Sequence, residues 1–188
     1  MDFSHYSNDA VQMAADLVNT VDTVTGADTM TNVAGLLSFL DRYRGDWTSD
    51  DFNTDALDGF DVRRVLKLRA RLRKVFEAAD IEEAAEILNG ILEDVVATPR
   101  VSLHSDYAHL HFEPVKAGVM RWLGASTAMG LASVLVEEGL ERLGTCSADD
   151  CHDAFVDTSR NRSRKHCSTT CSNRSNVKAH RDRARAET

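Results

Sequence analysis

"CSADDCHDAFVDTSRNRSRKHCSTTCSNRSNVKAHRDRAR", residues Cys146–Arg185, holds every cysteine of a 188-residue chain. The four fall as C-x4-C-x15-C-x3-C, at Cys146, Cys151, Cys167 and Cys171. Two short cysteine pairs separated by about 15–20 residues are the layout of a tetrahedral zinc site. Such an ion needs four soft donors at about 2.3 Å, and each short pair brings two sulfurs to one point. Phe155 and Val156 are the main apolar residues between the pairs. That is too little core for the segment to hold itself together without metal. Two disulfides or a redox switch are the competing readings, and a reducing compartment disfavours the disulfides. His152 and His166 adjoin the cysteines and could each replace a thiolate. With four thiolates no coordination position stays open, so the expected Zn2+ site is structural rather than catalytic.

The segment after the cysteines is basic. From Thr158 to the end there are nine Lys/Arg against two Asp/Glu, whereas the whole chain carries −8. Cys167 and Cys171 sit at i, i+4 with Ser168 or Thr169 as a helix cap, so a helix is expected to leave the second cysteine pair directly. Along it Arg174, Lys178, Arg181 and Arg185 recur at i, i+4, i+7 and i+11, within about 60° of one another. Arg160, Arg162, Arg164 and Lys165 add cations in the loop between the pairs. Phosphate attraction is local, because salt screens charge over about 8–10 Å, so an acidic protein can still bind DNA through such a tail. Asn173 and Arg174, at the helix start, would lie nearest the bases or the backbone, and the remaining cations would hold phosphates. The competing readings are a solvated tail that balances the acidic remainder, or a protein-interaction module that meets an acidic partner.

These residues also resemble the CGNR-type zinc finger of bacterial regulators. That pattern has two cysteines, an F-x-D-x-S-R-N stretch, then C-S-x-x-C-G-N-R and a basic helix. It is matched by Cys146, Cys151, Phe155, Asp157, Ser159, Arg160, Asn161, Cys167, Ser168, Cys171, Asn173 and Arg174. Ser172 stands where the family has its glycine, and His166 where an aromatic often precedes the third cysteine. The preceding part, with "DLVNTVDT" at residues 16–23 and a proline-bounded hairpin before a long helix, is similar to the ABATE domain fused to that finger. Together they resemble stress-induced transcription regulators. The resemblance implies a DNA-binding regulator with a ligand-sensing or assembly domain in front.

Residues 1–144 read as that first domain and 145–188 as a treble-clef-like or ribbon-like zinc domain with a basic C-terminal helix. The fold class is α+β, mainly helical, with one small β-hairpin. Val11, Ala14, Ala15, Val18 and Val21 mark a first helix, and Val33, Leu36, Leu37 and Leu40 a second ending near Gly45. Residues 45–60 read as an acidic loop. A third helix from about Asp61 sets Val62, Val65, Leu66, Arg69, Leu72 and Phe76 against a basic face of Arg63, Arg64, Lys67, Arg71 and Lys74. A fourth carries Ile81, Ala84, Leu88, Ile91 and Val95. "PRVSLHSDYAHLHFEP" alternates between Pro99 and Pro114 and reads as a hairpin turning near Ser105 and Asp106. Val101 and Leu103 share one of its faces; His104, His109 and His111 point the other way, a candidate metal or anion chelate. A long helical pattern follows, with a small-sided stretch, "GASTAMGLAS", suited to close helix packing and a stop at Gly144.

No run of about 18 apolar residues stands out, so no membrane span is expected. The start, "MDFSHYSNDA", does not read as a signal peptide, which leaves the cytoplasm as the expected compartment. No nucleophile–base pair and no phosphate loop appear, since "GASTAMG" lacks the lysine and its spacing. The chain is therefore not expected to be an enzyme. DNA is the expected partner, with an unidentified small molecule at the first domain and a homodimer as further partners.

Overall fold

The computed structural model describes residues 8–45, 51–102 and 109–186. Helices α1 (Asn8–Val18) and α2 (Val33–Asp41) come first, followed by a single 3-10 turn at Thr54–Ala56. Asp58 starts α3 (Gly59–Phe76) with a capping box: its carboxylate accepts from the Phe60 and Asp61 amides while Asp61 accepts from the Asp58 amide. Asp80 caps α4 (Ile81–Val95) in the same position, accepting from the Glu83 amide at 2.9 Å. Strands β1 (Ala97–Ser102) and β2 (His109–Pro114) pair antiparallel, from Ala97 opposite Pro114 to Ser102 opposite His109. Helix α5 (Val119–Glu138) follows, then a short 3-10 turn and the strands β3 (Leu143–Thr145) and β4 (Ala154–Val156), also antiparallel. Helix α6 (Thr169–Ala186) ends the described chain. The protein is thus mainly helical with two small hairpins, and four cysteines and a helix close its C-terminal part.

Helix α5 is the centre, with α1, α3, α4 and β2 packed on it. Its small residues make that possible. A Cβ added at Gly124 would lie 2.7 Å from Val95 Cγ1, and one at Gly130 would lie 3.1 Å from the backbone of Ala10 and Val11. Gly124 therefore leaves room for the Val95 side chain of α4, and Gly130 admits the α1 backbone itself. The same helix is long and apolar enough by length and composition to cross a membrane, although the sequence shows no unbroken apolar run of that length. Most of it is buried inside the domain, which is the position its composition serves.

The structure revises several sequence expectations. Helix α1 stops at Val18, before Val21, because the Thr20 hydroxyl turns back to donate to the Leu17 carbonyl at 2.8 Å. Val21 instead bridges Asp28 across a tight loop. Arg69 does not belong to the apolar stripe of α3. Its guanidinium forks onto Asp28 at 2.8 and 2.9 Å and reaches the Thr20 hydroxyl at 2.8 Å. The hydrogen bond from Arg69 is the first cause holding the Asp28 carboxyl below its ordinary value. The long helix ends at Glu138 with Gly139 at φ +90°, so Gly139 is the stop and Gly144 lies in β3. Within the 45–60 segment, Phe52 is buried against Trp122, with ring centroids 5.6 Å apart.

On the basic face of α3, Arg71 pairs with Asp94 of α4, while Arg63 and Arg64 lie over the exposed Phe60 ring. Val101 is exposed on β1, and His109 and His111 occupy β2 opposite Ser102 and Arg100. Leu103, His104 and the expected turn lie outside the described residues. The boundary expected after Gly144 falls inside β3.

A bulky residue at position 130 has to push α1 off α5. Gly130→Leu is expected to cost about 1–3 kcal/mol. Urea unfolding measures this, and a variant as stable as the parent would show that α1 does not depend on close approach at Gly130.

Candidate metal centre and basic helix

Cys146 directly follows β3, and Cys151 closes the first loop with its amide on the Ala148 carbonyl at 3.1 Å. The strand pair fixes the loop's base, because the Cys146 amide donates to the Asp153 carbonyl at 2.9 Å. The second pair stands where α6 begins, a treble-clef-like arrangement. Ser168 caps that helix, its Oγ accepting from the Cys171 amide at 3.2 Å. Ser172 is helical, its amide bonded to the Ser168 carbonyl at 3.1 Å, so the position needs no positive φ and serine fits it.

The four sulfurs lie within 4.8 Å of one another, with Cys146, Cys151 and Cys171 buried and Cys167 half-buried. Cys151 and Cys167 sulfurs are 3.7 Å apart, and those of Cys167 and Cys171 are 3.6 Å apart. Four thiolates arranged tetrahedrally at about 2.3 Å from one ion have edges of about 3.8 Å. The site therefore fits a four-thiolate metal and is far too open for disulfide bonds of about 2.05 Å. Neither His152 nor His166 joins the set of metal-capable groups.

The sulfurs do not ionise alike without a cation. Burial pushes the Cys151 thiol up to about 11 and also raises Cys167. Cys171 is lowered, first by its hydrogen bond with Ser168. Metal binding must displace the protons of the raised thiols.

The first domain grips the knuckle. The Asn19 side-chain amide bonds Ala154 twice, donating to its carbonyl and accepting from its amide, both at 2.8 Å. Thr23 Oγ1 accepts from the His152 amide at 2.9 Å and donates to Asp153 Oδ1 at 2.8 Å. Arg73 of α3 donates to the His152 carbonyl at 3.0 Å. Leu143, Ala154 and Val156 join the same buried cluster as α1, α3 and α5.

The connecting loop is organised from within. Arg142, 1% exposed, donates to the carbonyls of Asp157 at 3.0 Å and Ser159 at 2.6 Å and pairs with Glu138 at 3.0 Å. Burial would raise the Asp157 carboxyl, but bonds from Ser159 and Arg164 outweigh it and hold the group below its ordinary value.

Of the expected DNA-binding cations, Arg164 braces the loop. Its guanidinium lies 5.0 Å from the Phe155 ring centroid and donates to the carbonyls of Val156, His166 and Cys167. Arg162 pairs with Glu138 and Glu141. Arg174 donates to Asp150 Oδ1 at 2.7 Å and approaches Cys171 Sγ at 3.4 Å, and Lys178 pairs with Asp149. Arg160, Lys165, Asn173, Arg181 and Arg185 stand exposed, the last three on α6. Residues 176–185 of that helix are exposed throughout. Sequence reading missed Asn19, Thr23, Arg73 and Arg142; the one available signal was the polar run "DLVNTVDT", whose Asn19 and Thr23 proved to be joints.

A family model described as "Putative stress-induced transcription regulator", ABATE, matches residues 12–138. A second, described as a CGNR zinc finger, matches residues 142–184. No curated protein matches the chain.

Removing Arg142 takes the guanidinium from the Asp157 and Ser159 carbonyls and leaves Glu138 with Arg162 as its ion-pair partner. Arg142→Leu is expected to cost about 1–3 kcal/mol in urea unfolding, from the buried carbonyl it leaves without that donor. A loss under about 1 kcal/mol would show that the loop does not rest on that guanidinium. Because thiol protons must leave, metal affinity is expected to fall as pH drops from 8 to 6. Competition with a chelator at each pH checks the sign.

Proposed function

The chain belongs to the ABATE family and ends in a CGNR zinc finger, and on that premise we propose that it is a cytoplasmic, non-enzymatic transcription regulator that binds DNA through α6. Zn2+ is the ion, because four thiolates in tetrahedral array favour zinc over the hard cations. It is held by Cys146, Cys151, Cys167 and Cys171, and when bound it supplies structure rather than chemistry. The observation that carries the reading is the geometry of α6. It leaves the sulfur cluster by its first turn and then stands in solvent, carrying one basic stripe.

In this reading Lys178, Arg181 and Arg185 of the stripe, with Arg160 and Lys165 of the loop, hold phosphates. Asn173 and Arg174 lie nearest the duplex at the helix start. Arg162 and Arg164 serve first as loop struts. Residues 1–144 act as the sensing or assembly domain and residues 145–188 as the zinc domain. A small molecule bound to the first domain and a homodimer extend the proposal.

The test is duplex binding by the zinc-loaded chain across a range of salt. Five to seven phosphate contacts give log K against log salt a slope of roughly −4.5 to −6. Lys178→Glu with Arg181→Glu is expected to abolish binding while zinc content stays at one per chain. Asp149→Asn with Asp150→Asn frees Lys178 and Arg174 from their own carboxylates and is expected to tighten binding severalfold. Absence of duplex binding at low salt would overturn the DNA reading.

One observation favours a second reading, an acidic protein partner. Arg174 and Lys178 already accept carboxylates as neighbours. Capture of an acidic peptide with no duplex binding would select it.

A further inference from the structure

The metal knuckle is not held by its own segment alone. Three consecutive residues, His152, Asp153 and Ala154, are bonded by side chains of the first domain, at sequence separations of 79 to 135. Asn19 acts on Ala154 as a neighbouring β-strand would, since it supplies one donor and one acceptor to one backbone residue. Thr23 fixes both the amide of the residue after Cys151 and the carboxylate of Asp153. Its hydroxyl oxygen also lies 3.7 Å from Cys151 Sγ. Asp153 in turn is the residue whose carbonyl receives the Cys146 amide. The positions of both sulfurs of the first pair therefore pass through Asn19 and Thr23.

Among the described residues no first-domain side chain bonds the second pair directly; the nearest link is the Asp153 carboxylate held by Thr23, whose other oxygen lies 3.7 Å from Cys167 Sγ. Cys167 and Cys171 are placed by Ser168, by Arg164 and by the start of α6. Arg174 and Lys178 tie α6 back only to Asp150 and Asp149 of the first knuckle, through side chains that are largely exposed. Such pairs are worth about 0–1 kcal/mol each. The two halves of the site thus differ. One is built onto a folded domain and the other is gathered by the ion.

We propose that Asn19 and Thr23 are positioning residues of the metal site, so that the first domain sets the zinc affinity of the finger. Groups that orient metal ligands change affinity by about 10–100-fold when removed. Coupling is reciprocal: whatever displaces the Asn19–Thr23 segment weakens zinc, and zinc steadies that segment. A change of state in the first domain thereby reaches α6 through the ion that holds it. The inference rests on the four-thiolate zinc reading.

The experiment uses the full chain and measures zinc affinity by competition with a chromogenic chelator. Cobalt absorption reports whether four thiolates still bind. Thr23→Val and Asn19→Ala are each expected to weaken zinc about tenfold or more. Thr23→Ser restores the affinity, and the cobalt spectrum keeps its four-thiolate shape. Arg71→Gln, which breaks the surface pair with Asp94 away from the knuckle, serves as the control and leaves affinity unchanged. Should Asn19→Ala fail to fold, the half-exposed Thr23 carries the test with Val and Ser. Zinc affinity of Thr23→Val within twofold of the parent overturns the proposal. An equal loss in Arg71→Gln overturns it too, because the effect would then be general destabilisation. A parent chain that binds no zinc removes the zinc reading and this inference together.

Discussion

Four cysteine sulfurs packed within 4.8 Å cannot all be thiolates unless a cation neutralises them. The C-terminal part of the protein answers to that constraint. Without the ion, burial keeps Cys151 and Cys167 protonated, and the buried cluster the cysteines form holds one other apolar residue, Ala148, among the described residues. Four cysteines and one alanine bury too little surface to order the second cysteine pair and the start of α6 against chain entropy. A dication reverses the balance, because it turns crowded thiols into ligands. Helix α6 then inherits its position from Cys171 and its direction from the Ser168 cap, and residues 176–185 stand exposed beyond the cluster.

The first domain solves a different problem by a different means. Its central helix carries a small-sided stretch, so the α1 backbone comes close at Gly130 and the Val95 side chain of α4 packs over Gly124. The two solutions meet at β3 and β4. Leu143, Ala154 and Val156 extend the helical core, while Cys146 and Cys151 stand just beyond that strand pair. The Arg142 guanidinium, fully buried, ties the end of α5 to the carbonyls of the loop that follows β4. A buried arginine is costly unless every donor finds a partner, and here the partners are two carbonyls and a carboxylate.

How much of this was legible depended on range. Cysteine spacing, helical periodicity and the basic stripe are local patterns, and each marked its element: five helices, the hairpin, the sulfur cluster and α6. Asn19 was not legible as a knuckle partner, because its bonds lie 135 residues away and an asparagine after a helix looks like an ordinary cap. Arg142 read as one more charge in a helical pattern, since nothing local says that a loop 15 residues later needs its donors. Arg69 failed for the opposite reason. It fell on the apolar stripe by spacing, but Asp28 was waiting on that stripe. Gly139 and Gly144 were confused because both can end a helix, and only the strand pairing of β3 decides between them.

Charge shows the same limit in sharper form. Counting from Thr158 gives nine cations against two acids, which reads as one positive surface. The fold divides those cations by what lies opposite them. Arg164 serves backbone carbonyls, Arg162 serves Glu138 and Glu141, and Arg174 and Lys178 face the two aspartates of the first knuckle. Those aspartates come from the acidic side of the count, yet the sulfur cluster places them beside the stripe. A phosphate that approaches Lys178 must therefore displace a carboxylate rather than water. Exposed pairs are weak, so displacement is cheap at each one, but it also favours a partner that can replace several carboxylates at once. A polyanion with regularly spaced charges does this better than a single acidic side chain. Arg181 and Arg185, farther along the stripe and exposed, lie where such a partner would extend beyond the knuckle.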